Sequence, residues 1–389
     1  MVTGMDYQAR LAEVRLRMDE AGIDVMFLPR RSANLFYLTG FRRHLDHGSD
    51  KNAYGDWASG AYIGREGGIV VLAPRMGGAF EQGESQGKAW IDDVWLIDER
   101  DRPADVMRRA INAVAGSVNG VAIDDHAWSE TTLALHDLLP NALLSATAPI
   151  IAPMRMIKDA DEIAVMRRAS ALADRAFQET LSILVPGVSE FEVAREIDYQ
   201  FQRAGADYTS FESNITFTSA TEGSSQTLLR TSLGRTLKYG DSVTFDFGCV
   251  LDGYCSDFGR SAFVGEPPAD YRKIHDIVLD AQREAVSVMK SGQITAAEVN
   301  AVARKVIAEA GYDKGFTHRL GHGIGIALHE PPFLDAVNNT ILQSGMTFTV
   351  EPSVRIPGKF GNRVEDIVLV TEHGGDVFNS FPHDLVIVE

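Results

Sequence analysis

The chain of 389 residues is 45% hydrophobic and 23% charged, the proportions of a folded globular protein with room for two cores of ordinary size. Its formal net charge of −17 argues against a nucleic-acid backbone or an anionic membrane surface as partner, and no lysine and arginine cluster offsets it. No run approaches the roughly 18 apolar residues that span a bilayer, and Met1–Arg10 lacks the apolar core of a signal peptide, so the expected location is cytoplasmic.

In chain order, Asp6 caps a first helix with Tyr7, Leu11, Val14 and Met18 on one face, and Gly22 stops it. Strands are expected at Asp24–Leu28, Asn34–Phe41, Ile69–Ala73 and Val94–Ile97, alternating with helices at Pro103–Val114 and Glu130–Leu139. That alternation predicts an α/β layer structure for the N-terminal half. Residues 42–60 are polar and long for a connection, which points to a lid or an arm reaching a neighbouring subunit. His44, Asp46 and His47 within it match no helical or hairpin spacing of metal ligands.

A boundary is expected near Pro149–Pro153. Beyond it Asp159 and Glu162 open a long helix, and Ser189 with Glu192 caps a second. The pattern returns in a helix from Ala269 and another capped by Thr295 and Glu298. Strands bearing acidic or histidine residues follow each pair, which predicts two similar helix–helix–strand halves facing each other across one site.

The richest stretch is 241–260. Asp252-Gly253 between two strand-like runs is a strong hairpin signal. A two-residue loop there sets Asp246 opposite Gly259 and makes Asp246 and Asp257 diagonal neighbours on one face. Adjacent carboxylates repel, and a bound cation removes the conflict. Cys249 and Cys255 fall on opposite faces of the hairpin, so two reduced thiols are expected.

Three further stretches carry candidates: the glycine-rich run around His322 and His329, the strand-like run interrupted by Glu351, and Arg363 with Glu365 ahead of Ile367–Val370. Asp246, Asp257, Glu351 and Glu365 would balance two divalent cations, with His322 adding a neutral nitrogen. Such ligation suits manganese, iron, cobalt or zinc, and one imidazole tilts it away from magnesium. Two ions roughly 3.5–4 Å apart can hold a hydroxide and polarise a carbonyl.

With their flanking residues, Asp246, Asp257, His322, Glu351 and Glu365 resemble the pita-bread metallopeptidase family of Xaa-Pro aminopeptidases, prolidases, methionine aminopeptidases and creatinase. Asn34–Phe41 resembles the N-terminal domain of its proline-specific and creatinase branch, and Met156–Ile163 resembles that branch's domain junction. The resemblance implies an α/β (α+β) chain of two domains, a creatinase-like domain over 1–152 and a pita-bread catalytic domain with pseudo-twofold halves over 153–389. It also implies a homodimer and two divalent metal ions, manganese first, with cobalt, iron or zinc as alternatives.

By the same resemblance Asp246 chelates one metal, Asp257 and Glu365 bridge both, and His322 and Glu351 complete the second. Glu351 also takes the proton of a bridging water, and His329 contacts the substrate carbonyl. His318 and Arg363 stand near the substrate and the metal shell. The implied activity is cleavage of a peptide bond next to proline by a metal-bridging hydroxide.

Two positions depart from the family. A histidine is expected seventeen residues before the first metal aspartate, where this chain has Leu229 followed by Arg230, and a threonine or serine is expected where it has Gly259. Those departures sustain a second expectation, a creatinase-like amidohydrolase or lyase acting on a small non-peptide metabolite at the same metal site. A non-catalytic binding module would tend to lose ligands, and all five are present.

Overall fold

The computed structural model describes residues 4–42, 53–219, 231 and 234–389. Leu229, Arg230, His44, Asp46 and His47 therefore lie outside the described residues, as does most of the expected arm. The chain separates into two compact units that meet in sequence between Arg155 and Met156.

The N-terminal unit alternates helices and strands: α1 (Tyr7–Glu20), β1 (Val25–Pro29), α2 (Ala33–Thr39), β2 (Gly60–Gly64), β3 (Ile69–Pro74), α3 (Gly78–Ser85), β4 (Asp93–Ile97), α4 (Pro103–Val114), β5 (Gly120–Ile123), α5 (Ser129–Leu138), β6 (Leu143–Ala146) and α6 (Ala148–Met156). Its six strands form one mixed sheet in the order β4-β3-β2-β1-β5-β6. Strands β1, β2, β3 and β5 are buried along their whole length, which is why they read as continuous apolar runs.

One expected strand is a helix. Asn34–Phe41 lies largely in α2, where Ser32 accepts the Asn34 amide at 2.9 Å as N-cap and Gly40 ends the helix at φ 72°. Leu35, Phe36, Tyr37 and Leu38 are all buried, so the segment lacks the alternation that separates a half-exposed strand from a short buried helix.

The C-terminal unit contains two halves of like construction. In the first, α7 (Ala160–Thr180) and α8 (Glu190–Ala204) each begin in a reciprocal capping box, formed by Asp159 with Glu162 and by Ser189 with Glu192. The strands that follow are β7 (Tyr208–Thr209), β8 (Asn214–Thr218), β9 (Ser242–Phe247), β10 (Cys249–Leu251), β11 (Tyr254–Cys255) and β12 (Phe258–Val264).

The second half opens with α9 (Ala269–Val288) and α10 (Ala296–Glu309), the latter capped reciprocally by Thr295 and Glu298. Its strands are β13 (Gly321–Gly323), β14 (Glu330–Leu334), β15 (Thr347–Val350), β16 (Ser353–Ile356), β17 (Phe360–Arg363), β18 (Asp366–Val370) and β19 (Gly375–Val377), and β20 (Val386–Val388) closes the chain. The main sheets run β20-β12-β9-β8 and β14-β13-β15-β18-β19, each packed on its own helix pair.

The hairpin turns at Asp252-Gly253 with φ of 50° and 85°, the left-handed pair that a tight turn requires. It pairs Leu251 with Tyr254, and the same register carries on to set Asp246 opposite Gly259. Between the two sheets, Gly259 bridges to Glu365, with the Glu365 amide donating to the Gly259 carbonyl at 2.9 Å. This seam is where the two halves meet.

Behind β9 and β12 stands an aromatic cluster centred on Phe177 of α7. Its ring lies 4.9 Å from Phe245, 5.5 Å from Phe258 and 4.8 Å from Phe381. Phe177→Ala should therefore lower the unfolding free energy by about 3–5 kcal/mol, the usual loss for a buried aromatic. Denaturant titration checks this, and a loss like that of a surface substitution would contradict the assigned role of the ring.

Candidate metal centre

Five side chains converge on the seam. Asp246 comes from the C-terminal end of β9, Asp257 directly precedes β12, and Glu365 directly precedes β18. One oxygen from each of these three lies within 4.8 Å of the others, a spacing at which a single cation can be shared. Glu351 follows β15, and His322 sits mid-way along β13 beside a bulge. All except Asp246 are buried.

His322 decides what this cluster can do. Its Nδ1 lies 3.0 Å from the Gly323 carbonyl, which only accepts, so Nδ1 carries the proton. The Nε2 lone pair then faces Asp257 Oδ2 at 3.5 Å and Glu351 Oε1 at 3.6 Å. Burial lowers the pKa of this imidazole, which keeps it neutral. A lone pair directed at two carboxylates is repulsive on its own and becomes a ligand set around a cation.

The carboxylates carry the same signal. Asp257 Oδ1 is buried without a hydrogen-bond partner. Burial first, then the charge of Asp246, pushes the Asp257 carboxyl well above the usual range. Glu365 is raised in the same way, by burial and then by Asp257. Burial also lifts Glu351 to about 7, against which the Arg363 guanidinium works. A divalent cation relieves each of these penalties at once, so the residues fit such a group.

The hydrogen bonds around the ligands set their aim. Thr349 Oγ1 accepts the His322 amide at 3.1 Å and donates to Glu351 Oε1 at 3.2 Å, coupling the two. Arg363 donates to Asp246 Oδ2 and also lies 3.6 Å from Glu351 and 3.4 Å from Glu365. The His329 ring stands edge-on to His322 at 4.2 Å, on the exposed side of the cluster. His318 is held at both nitrogens, by the Arg319 carbonyl at 2.7 Å and by Ser353 Oγ at 2.6 Å. Burial and then Arg363 lower its pKa to about 4, so it is neutral at pH 7.

Several supports left little trace in the sequence. Lys158 and Glu330 form a buried ion pair at 3.3 Å, and Glu330 also accepts the Ala327 amide at 2.9 Å. The Gly325 carbonyl takes the Cys255 amide at 2.8 Å. Together these pin the glycine-rich loop that ends at His329. Arg260 donates to the carbonyls of Gly259 and Glu365 and, at 2.7 Å, to Asp366. A single arginine in an otherwise apolar strand was the only advance sign of it. The two cysteines are buried and form no disulfide.

The profile described as metallopeptidase family M24 matches residues 164–372, and the creatinase/prolidase N-terminal domain matches residues 10–157. This chain belongs to metallopeptidase family M24. A Bacillus subtilis protein named as a dipeptidase, YkvY, is 31% identical over 380 residues, covering 97% of this chain and 99% of the relative. Among solved structures, the prolidase of Thermococcus sibiricus is 31% identical with a TM-score of 0.86, covering 99% of this chain and all of the other. The Xaa-Pro dipeptidase of Bacillus anthracis is 29% identical with a TM-score of 0.83, covering 98% of this chain and all of the other. The M24 chain is thus a metallopeptidase-type enzyme of two α/β domains, and a divalent metal is the group its family implies. Among the described residues, no helix is long and apolar enough to cross a membrane.

The raised Glu351 pKa has a stability consequence in metal-free protein. A carboxyl raised from 4.5 to about 7 on folding contributes stability that is complete below pH 4.5 and lost as pH rises through about 7. EDTA-treated protein should therefore melt at lower temperature at pH 8 than Glu351→Gln does, with the two converging towards pH 5. Thermal unfolding from pH 5 to 8 checks the sign, and parallel curves would contradict it.

Proposed function

We propose that this enzyme is a metal-dependent peptidase that cleaves peptide bonds next to proline in short substrates, using two divalent cations, manganese first. Asp246 would bind one cation, Asp257 and Glu365 both, and His322 with Glu351 the other. The observation that carries the reading is the His322 Nε2 lone pair aimed into buried carboxylates with an unpartnered Asp257 oxygen among them. The names of the relatives, prolidase and Xaa-Pro dipeptidase, support the choice of bond.

When bound, such a pair of cations acidifies a water and polarises the scissile carbonyl. The remaining work falls to side chains. Glu351 would also take up the proton that the attacking water releases. His329, at the open side of the cluster, would direct an N–H to the scissile carbonyl. Arg363 holds Asp246 in place, and His318 with Ser353 lines the approach. We assign residues 1–152 to the creatinase-like domain and 153–389 to the catalytic one. Two cysteines without a disulfide favour a reducing compartment, the cytoplasm. A homodimer is the proposed assembly, which gel filtration tests.

A second reading keeps the same residues and replaces the peptide by a small non-peptide metabolite. Gly259, which leaves no hydroxyl at the cluster, favours it together with Leu229 in the sequence. The two readings part on a panel of Xaa-Pro and Xaa-Ala dipeptides and tripeptides given to Mn²⁺-reconstituted protein. Proline-dependent cleavage abolished by EDTA is the expected outcome. Bound manganese with no cleavage across the panel would transfer the assignment to the metabolite reading.

A bridging ligand has a further test. Asp257→Ala should reduce bound manganese at both positions and lower turnover by at least about 10²-fold, the size of an acid–base or electrostatic contribution. Elemental analysis and the same panel read both quantities. Full activity in that variant would dismiss the dinuclear assignment.

A further inference from the structure

The polar face of the sheet that carries Asp246 continues beyond the cluster. On β9, Ser242, Thr244 and Asp246 share one face, while Val243, Phe245 and Phe247 turn to the core. Thr244 lies opposite Thr216 of the edge strand β8, and Ser242 lies opposite Thr218. Thr216, Thr244 and Asp246 are all half-buried, so hydroxyls line the floor at a step of roughly 7 Å from Asp246.

The hairpin of β16 and β17 lies over this face. Val354 and Phe360 belong to the core, and Ser353, Arg355, Gly361 and Arg363 turn the other way. Ser353 and Arg363 are paired, and they meet His318 and Asp246. Arg355 and Gly361 are the next pair on that face, and a Cβ at Gly361 would lie 3.0 Å from Thr244 Oγ1 and 3.6 Å from Thr218 Oγ1. Arg355 thus overhangs β8 one step beyond Asp246.

A second arginine stands at that strand. Arg235 Nη1 donates to the Phe217 carbonyl of β8 at 3.1 Å and lies 2.9 Å from the buried Glu190, but its buried Nη2 has no acceptor. Glu190 balances Arg235, whereas no carboxylate among the described residues lies within ion-pair distance of Arg355. Burial and then the charge of Arg235 lower the Arg355 pKa, so the two guanidinium groups repel. A half-buried guanidinium without a carboxylate, beside another cation, is a place where an anion is stabilised.

We propose that Arg355, with Arg235 Nη2 beside it, receives the side-chain carboxylate of an aspartyl or glutamyl residue at the N-terminal side of the cleaved bond. In an Xaa-Pro substrate that residue is the variable one. With its backbone at the cluster, its side chain has about one residue step to cross along the threonine floor. This rests on the peptidase reading proposed above and names a substrate class for it. Arg355 is then a specificity-determining residue, outside the set that performs the cleavage.

The test is kcat/KM of Mn²⁺-loaded protein for Glu-Pro, Gln-Pro, Ala-Pro and Ala-prolinamide, with calorimetric binding of L-glutamate and L-glutamine alongside. Wild type, Arg355→Met and Arg355→Lys are compared. Wild type should prefer Glu-Pro to Gln-Pro, and glutamate to glutamine, by about tenfold or more, the scale of a charge-assisted hydrogen bond. Arg355→Met should abolish both preferences and leave Ala-Pro cleavage unchanged. Arg355→Lys should keep part of each.

Equal rates and affinities for acid and amide in wild type would overturn the inference. So would an Arg355→Met variant that loses Ala-Pro and Gln-Pro as heavily as Glu-Pro, the mark of a structural role. Loss of Ala-Pro with Ala-prolinamide spared would give the arginine to the terminal carboxylate and overturn the side-chain assignment. If no peptide is cleaved, the peptidase reading falls, and glutamate against glutamine binding in wild type and Arg355→Met still decides the subsite.

Discussion

The C-terminal unit is built around a conflict of charge. Asp246, Asp257, Glu351 and Glu365 are drawn into one seam, three of them buried, and among the lysines and arginines of the described residues only Arg363 lies within ion-pair distance of them. Burial and mutual repulsion push Asp257, Glu365 and Glu351 towards the protonated form, so the cluster destabilises the folded chain when it is charged. The fold can hold such a cluster because its surroundings are over-determined. Phe177, Phe245 and Phe258 pack behind the strands that carry the aspartates, and backbone bonds join β12 to the segment bearing Glu365.

Period-two alternation lets one strand serve both the site and its frame. Glu365 turns to the cluster, while the next residue, Asp366, turns the other way and meets Arg260 at 2.7 Å and His383 at 2.7 Å. Arg260 also spans the seam through the carbonyls of Gly259 and Glu365. A buried ion pair of this kind adds little net stability over an apolar one. Its value lies in direction, because each charge has partners in only one arrangement of the two strands. Fixing Asp366 against Arg260 fixes the opposite orientation for Glu365.

Local rules exposed much of this in the sequence. The Asp252-Gly253 turn carries register, and register alone puts Asp246 opposite Gly259. The three capping boxes mark the starts of α7, α8 and α10 because the signal is contained within four residues. Asn34–Phe41 reads as strand in the sequence because a fully buried segment shows no polar face, and its length suits either conformation. Lys158 with Glu330 was invisible for a different reason. The partners are 172 residues apart, and nothing local tells a lysine destined for burial from one on the surface. Gly259 is legible as a departure, yet what fills its space is Glu365 and Arg363, residues more than a hundred positions away.

The two ends of the cluster also differ in their surroundings, and this bears on how chemistry is apportioned. At the inner end, His322 is locked by the Gly323 carbonyl and Glu351 by Thr349, so the two groups hold one geometry. Elsewhere in the cluster, Asp246 is only partly covered, and the His329 ring beside His322 is exposed. The loop that presents His329 is tethered at Glu330 by Lys158 and at Gly325 by Cys255, so the one exposed histidine of the site is also held from behind. Preorganisation of this kind spares the reaction the cost of ordering its own catalytic groups.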